Sequence, residues 1–225
     1  MGKRLNETAR LVDKGKIYIL DEAVSLVKEA AKAKFDETIE VHVRLGIDPK
    51  QSDQIVRGTV SLPYGIGKTR RIAVLAKGEK QKEGENAGAD IIGSEDLIES
   101  ISKGSLDFDV LVATPDIMKD LSKVAKILGP KGLMPNPKSG TITFDIGATV
   151  KELKKGRVEY KSDSFGIIHV PVGKASFEKR RLIDNIKSLV EAVLKAKPSS
   201  SKGQYIKSIS ISSTMGPGIY VEQKM

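Results

Sequence analysis

Cysteine and tryptophan are both missing from this 225-residue chain, histidine occurs twice, and aromatic residues make up only 4%. Without cysteine there can be no disulfide and no thiolate metal site, and the cytosol is the expected compartment. His42 and His169 are too few for a histidine cluster, and neither has a ligand-like neighbour in sequence, so neither metal nor cofactor is expected. Scarce aromatics disfavour a stacking platform for bare single strands. No apolar run approaches membrane-spanning length and no basic-then-apolar signal region opens the chain, so a membrane is not an expected partner. No Gly-x-Ser-x-Gly elbow exists to expose a nucleophilic serine.

What the chain has is positive charge. Net charge is +9 and the pI is about 9.5, an excess that favours a polyanionic partner. Of the 38 basic and 29 acidic residues, 15 and 13 lie in residues 68–156, leaving 23 and 16 for the rest. The excess therefore belongs to the two ends of the chain.

Those ends also carry the clearest strand patterns. Near the C terminus Ile209 and Ile211 alternate with Ser208, Ser210 and Ser212, the period-2 signature of a strand with one buried face. Its best match is residues 38–45, with Ile39, Val41, Val43 and Leu45 inward and Thr38, Glu40, His42 and Arg44 outward. The two ends are therefore read as one domain, residues 1–67 plus 157–225, with residues 68–156 inserted into it. Residues 1–16 are expected to be a loose helix or arm. Asp21 is placed to cap a helix over 22–34. Strands are expected at 56–62, 157–161 and 167–172. Apolar residues from Leu182 to Leu194 share one helical face, and Pro198 stops that helix.

In the middle of the chain strands and helices alternate. Strands at 71–76, 89–92 and 110–113 and helices at 80–87, 95–102, 118–128 and 147–155 predict a small layered α/β domain with parallel strands. The fold class is thus α/β: a discontinuous α+β first domain, and an inserted Rossmann-like, three-layer second domain. Gly65, Gly67 and Gly156 mark hinges at the two connections.

Gly65-Ile66-Gly67-Lys68-Thr69 invites comparison with a phosphate loop. Leu62 stands where that loop needs its first glycine, and Lys68-Thr69 should open a helix but precedes a strand. A hinge fits better. Residues 129–140, rich in Gly, Pro and Lys, read either as a rigid surface loop or as a phosphate-contacting one, and composition favours neither. The clustered hydroxyls of Ser208, Ser210, Ser212 and Thr214 would let an RNA backbone lie close, pairing with phosphates and 2′-OH groups. Met215 and Gly216 would add backbone amides and a thioether. Shape recognition of a folded RNA is the expectation.

Residues 34–41 (KFDETIEV), 53–60 (DQIVRGTV), 129–137 (GPKGLMPNP), 171–174 (PVGK) and 214–217 (TMGP) together resemble the L-one family of universal large-subunit ribosomal proteins, in its bacterial form. The resemblance spans nearly the whole chain. It implies a non-enzymatic protein of the cytoplasmic ribosome whose first domain binds a folded stalk of large-subunit rRNA. It also implies contact with exit-site tRNA, whose release the protein assists, and repression of its own operon through its mRNA. By position, Phe35 and Thr38 match the family's N-terminal RNA contacts, and Ser208, Thr214, Met215 and Gly216 its C-terminal ones. Lys34, Arg57, Lys161, His169 and Lys174 are flanking candidates, and the chain is expected to be monomeric off the ribosome. The rival reading is a nucleotide-binding enzyme built on the inserted domain.

Overall fold

The computed structural model of the chain describes residues 7–13, 15–51, 53–201 and 203–223, with the backbone alone at Lys138. The chain divides into two compact units, Met1–Gly67 with Val158–Met225, and Lys68–Arg157. In chain order the elements are α1 (Leu20–Ala30), β1 (Thr38–Leu45), β2 (Arg57–Ser61), β3 (Ile72–Leu75), α2 (Glu79–Asn86), β4 (Ile91–Gly93), α3 (Glu95–Ser102), β5 (Val110–Ala113), α4 (Met118–Leu121), α5 (Ala125–Leu128), α6 (Ile146–Lys154), β6 (Arg157–Lys161), β7 (Ile167–Lys174), α7 (Lys179–Lys195), β8 (Ile206–Ser213) and β9 (Ile219–Val221).

The first unit is built on an antiparallel sheet of order β7-β1-β8-β9. Along β1 every second residue from Ile39 to Leu45 is buried, and these side chains meet Val24 and Val27 of α1 and Leu182, Ile186 and Leu189 of α7 in one core. Two bulges tune the register. One lies opposite Ile39 and Glu40, where β7 carries Pro171, tolerated because β7 is an edge strand. The other lies opposite Arg44 and Leu45 and turns Ile206 inward beside Ile209. β2 and β6 form a separate two-stranded sheet, and the Tyr160 hydroxyl donates to the Ala192 carbonyl of α7 at 3.1 Å.

Several local expectations are corrected. Of the expected N-terminal arm, residues 1–6 and 14 lie outside the described residues. Residues 7–9 are helical, as expected, and Thr8 and Val12 are buried, so the described part of the arm is anchored at those two side chains. Asp21 does not cap α1. The helix starts at Leu20, two residues earlier, and Asp21 lies in its first turn, 3.1 Å from Lys179. α1 also stops at Ala30 instead of continuing to residue 34: the Lys32 amide turns back to the Ala30 carbonyl and the Ala33 amide donates to the Glu37 carboxylate, so neither continues the helical ladder. Beyond the turn at 214–218 the chain returns as β9, too short to announce itself by alternation.

In the second unit β4, β3 and β5 are parallel, in that order. Both faces of β3 are buried, as expected of a strand covered on two sides. Ala73 and Leu75 pack with Ile98 and Ile101 of α3 and Leu121 of α4, while Ile72 and Val74 pack with Ile146 and Val150 of α6. The helix expected over 118–128 is instead broken into α4, a 3-10 turn at Ser122–Val124, and α5. The Ser122 hydroxyl donates to the Met118 carbonyl at 2.9 Å, a bond that bends helices.

Asn185 of α7 is fully buried and accepts the Tyr64 amide at 3.1 Å. It donates to the carbonyls of Gly65 at 2.9 Å and Val172 at 2.7 Å. Gly65 and Gly67 both have positive φ (62° and 70°), and a Cβ on Gly67 would lie 2.9 Å from Phe177 and Lys174. The segment before the first connection is therefore held firmly to the first unit. Replacing Asn185 by leucine removes all three hydrogen bonds at once. At about 1–3 kcal/mol for each stranded buried group, Asn185→Leu should lower the unfolding free energy by about 3 kcal/mol or more. Urea denaturation should show this as a fall in midpoint with unchanged slope.

Candidate nucleic-acid interface

Residues from opposite ends of the chain meet where β1 begins and β8 finishes. Thr214 donates its amide to the Thr38 carbonyl at 3.0 Å. Its hydroxyl accepts the Thr38 amide at 3.0 Å and donates to the Thr38 carbonyl at 3.2 Å. Lys174, at the end of β7, donates from Nζ to the Thr38 hydroxyl at 2.9 Å. Asp36 holds Ser176 by its amide and its hydroxyl. Around this knot Lys34 and Thr214 are exposed, and two apolar side chains stand out into solvent, Phe35 at 55% and Met215 at 48% exposure. Exposed apolar groups ringed by lysine and hydroxyls suit a ligand with flat faces and a charged backbone.

The turn itself is tightly bonded. The Met215 amide donates to the Glu37 carboxylate at 2.9 Å and the Gly216 amide to the Ser213 carbonyl at 3.1 Å. The expectation that these two amides approach a ligand is thus corrected: both are used inside the protein. Gly216 is required for space, since a Cβ there would lie 2.4 Å from the buried Ser213 hydroxyl. Thr214 is likewise more a tie between segments than a free hydroxyl. Glu37, 2% exposed, was missed by sequence reasoning. Its only signal is the second acid of the Asp36-Glu37 pair just before the alternating strand, which looks like any surface carboxylate.

The other candidates spread along the sheet or leave it. Ser208 sits opposite Arg44, at the far end of β1 from Thr38. His169 lies midway along the edge strand β7, opposite His42. Arg57 and Lys161 belong to the two-stranded sheet, and Arg57 is held by Glu159 at 2.5 Å. Gly156 has φ of 104°, next to the second connection.

On the outward face of the four-stranded sheet the two histidines form a chain. His42 Nε2 is 3.0 Å from the Ser212 hydroxyl, the two Nδ1 atoms are 2.8 Å apart, and His169 Nε2 is 3.4 Å from Asp163. A consistent set of donors runs from Ser212 to His42, then to His169, then to Asp163. Two Nδ1 atoms this close can share only one proton. Burial, then the neighbouring His169, lowers the pKa of His42 below its ordinary value, against an opposing pull from Glu40. Burial pushes the Asp163 carboxyl up, but the amides of Ile167 and Phe165 and the His169 ring together hold it below its usual range.

In the second unit Lys68 is bonded to Asp109 at 2.7 Å, and residues 68–71 open neither a helix nor a phosphate cradle. Lys68, then the Arg71 amide, hold the Asp109 carboxyl below its ordinary range against the opposing effect of burial. At the carboxyl ends of the parallel strands, where such sheets bind ligands, Lys77 is paired with Glu95 at 3.4 Å and Asp120 at 3.7 Å. The adjoining cavity is lined by Glu95, Glu99, Asp120 and Lys123, a surface that repels phosphate more than it attracts it. The loop at 129–140 is tied by internal bonds, which leave its lysines' role undecided between the two readings. Asn136 donates its amide to the Thr141 hydroxyl, Ser139 bonds to both residues, and Leu133 and Met134 pack on the core.

The family model described as Ribosomal protein L1p/L10e family matches residues 27–217. That span takes in β1, the knot at Thr38 and the turn at 214–216.

Because its His42 resists protonation, the folded chain binds a proton there less readily than the unfolded chain does. Stability is then undiminished above the ordinary value of 6.5 and falls as pH drops below it. Chemical denaturation between pH 7.5 and 5 should show this decline, and His42→Asn should flatten it.

Proposed function

Because the chain belongs to the Ribosomal protein L1p/L10e family, it is a ribosomal protein that binds rRNA, and we propose that the knot joining Thr38 to Thr214 is where it grips a folded stalk of the large-subunit rRNA. The family is one of structural RNA-binding proteins rather than enzymes. One observation carries the reading: the segment that carries exposed Lys34 and Phe35 is hydrogen-bonded, through Glu37 and Thr38, to the turn that carries exposed Thr214 and Met215, 176 residues away between Thr38 and Thr214.

On this reading lysine and arginine contacts to phosphate supply much of the affinity, and the shape of the knot selects the RNA fold. Phe35 and Met215 lie against base or sugar faces. Ser208 and His169 extend the contact along the sheet, with Arg57, Lys161 and Lys174 as supports. The protein works in the cytoplasm, on the ribosome next to the tRNA exit site. Motion at the connections beside Gly67 and Gly156, coupled to the swing of the rRNA stalk, assists release of deacylated tRNA. An mRNA segment shaped like the rRNA site would compete for the same surface, so that free protein represses its own operon.

The test is binding of the intact chain to an rRNA stalk fragment and to random RNA of equal length, across a salt series. Thr214→Val should cost about 1–3 kcal/mol toward the stalk and leave random RNA unchanged, whereas Lys34→Ala should weaken both and reduce the salt slope by about one. Equal weakening of both RNAs by Thr214→Val would overturn the reading.

A further inference from the structure

Glu37 does not face solvent, and its carboxylate is bonded on both oxygens. Oε1 accepts the Ala33 amide at 2.9 Å and Oε2 the Met215 amide at 2.9 Å, while its backbone carbonyl accepts the Ala175 amide at 2.8 Å. One residue therefore joins three segments: the exit from α1 that carries Lys34 and Phe35, the turn after Lys174, and the 214–216 turn. We propose that Glu37 is the positioning residue of the RNA surface, setting the separation of Phe35 from Met215 without touching RNA itself. This rests on the reading above, that the knot is the RNA site.

Two convergent N–H donors explain why a carboxylate stands here. Burying such a group is unfavourable unless it is well bonded, and hydrogen bonds to a charged acceptor are shorter and stronger than neutral ones. Glutamine fills the same volume but offers one acceptor oxygen and, on the other side, an NH2 that confronts an N–H. It can hold the Ala33 amide or the Met215 amide, not both. Loss of either bond frees one half of the surface from the other, and the ligand must then supply the order the protein has lost.

This role differs from that of Thr214, which joins only Thr38 and its own turn. Glu37 reaches the far side of Phe35, at residue 33. The two ties share the 214–216 turn, so their effects on RNA affinity should be less than additive.

The experiment compares intact wild type, Glu37→Gln and Glu37→Ala. Hydrogen exchange is followed at Ala33 and Met215, against Val41 and Val43 in the sheet core, and each protein is titrated with stalk RNA and random RNA. In Glu37→Gln one or both of the two amides should exchange faster while the strand amides keep their rates. Stalk affinity should fall about tenfold, the equivalent of one lost net hydrogen bond, with random RNA unchanged and the fall partly shared with Thr214→Val. Glu37→Ala should fall further. The proposal is overturned if Glu37→Gln exchanges at both amides and binds the stalk as wild type does. It is equally overturned if both RNAs weaken together, which would mark a general loss of fold or charge. Should wild type itself fail to prefer the stalk, the RNA reading falls, and exchange at Ala33 and Met215 still decides whether Glu37 joins the two segments.

Discussion

Antiparallel pairing of β1 with β8 is the constraint on which the first unit depends. It runs over the register Ile39 to Ser213 through Leu45 to Ile206, and buries Val41, Val43, Ile209 and Ile211 in one core with α1 and α7. Closing so long a loop costs less than its length suggests, because the entropic term grows only logarithmically. The intervening residues are also largely folded. In the second unit the Arg70 side chain reaches the Arg157 carbonyl at 3.4 Å, so the segments leading in and out lie side by side. To the sheet, the inserted unit then behaves as a short connection.

The surface proposed to bind RNA follows from where that pairing ends. Beyond Thr38 and Ser213 the ladder stops, and the next amides and carbonyls must find partners elsewhere. Thr214, Glu37 and Asp36 supply them. Backbone groups that would otherwise attract water or phosphate are satisfied within the protein, leaving side chains to face outward. Lys34, Phe35 and Met215 are consequently displayed on a stiff frame, which lowers the ordering cost of binding.

The second unit has a different electrostatic character. Its lysines at the strand ends are paired with carboxylates, as Lys77 is with Glu95 and Asp120 and Lys123 is with Asp120. The positive excess of the chain lies with the other unit. An α/β sheet with ligand-ready topology is here lined with acid where a nucleotide's phosphates would sit, and this physical mismatch weighs against the nucleotide-enzyme reading.

Periodicity made the main elements legible. Alternation marked β1 and β8, the apolar face marked α7, and short strand-helix alternation marked the parallel sheet, because side-chain burial in each element repeats over a few neighbouring residues. Tertiary structure alone decided the rest. The early end of α1, the burial of Glu37, the pairing of His42 with His169 and the internal use of the Met215 amide all join residues that are distant in sequence or determined by a remote partner. Local pattern reports which way a side chain points. It does not report which group waits there, and between Glu37 and Met215 that group is 178 residues away.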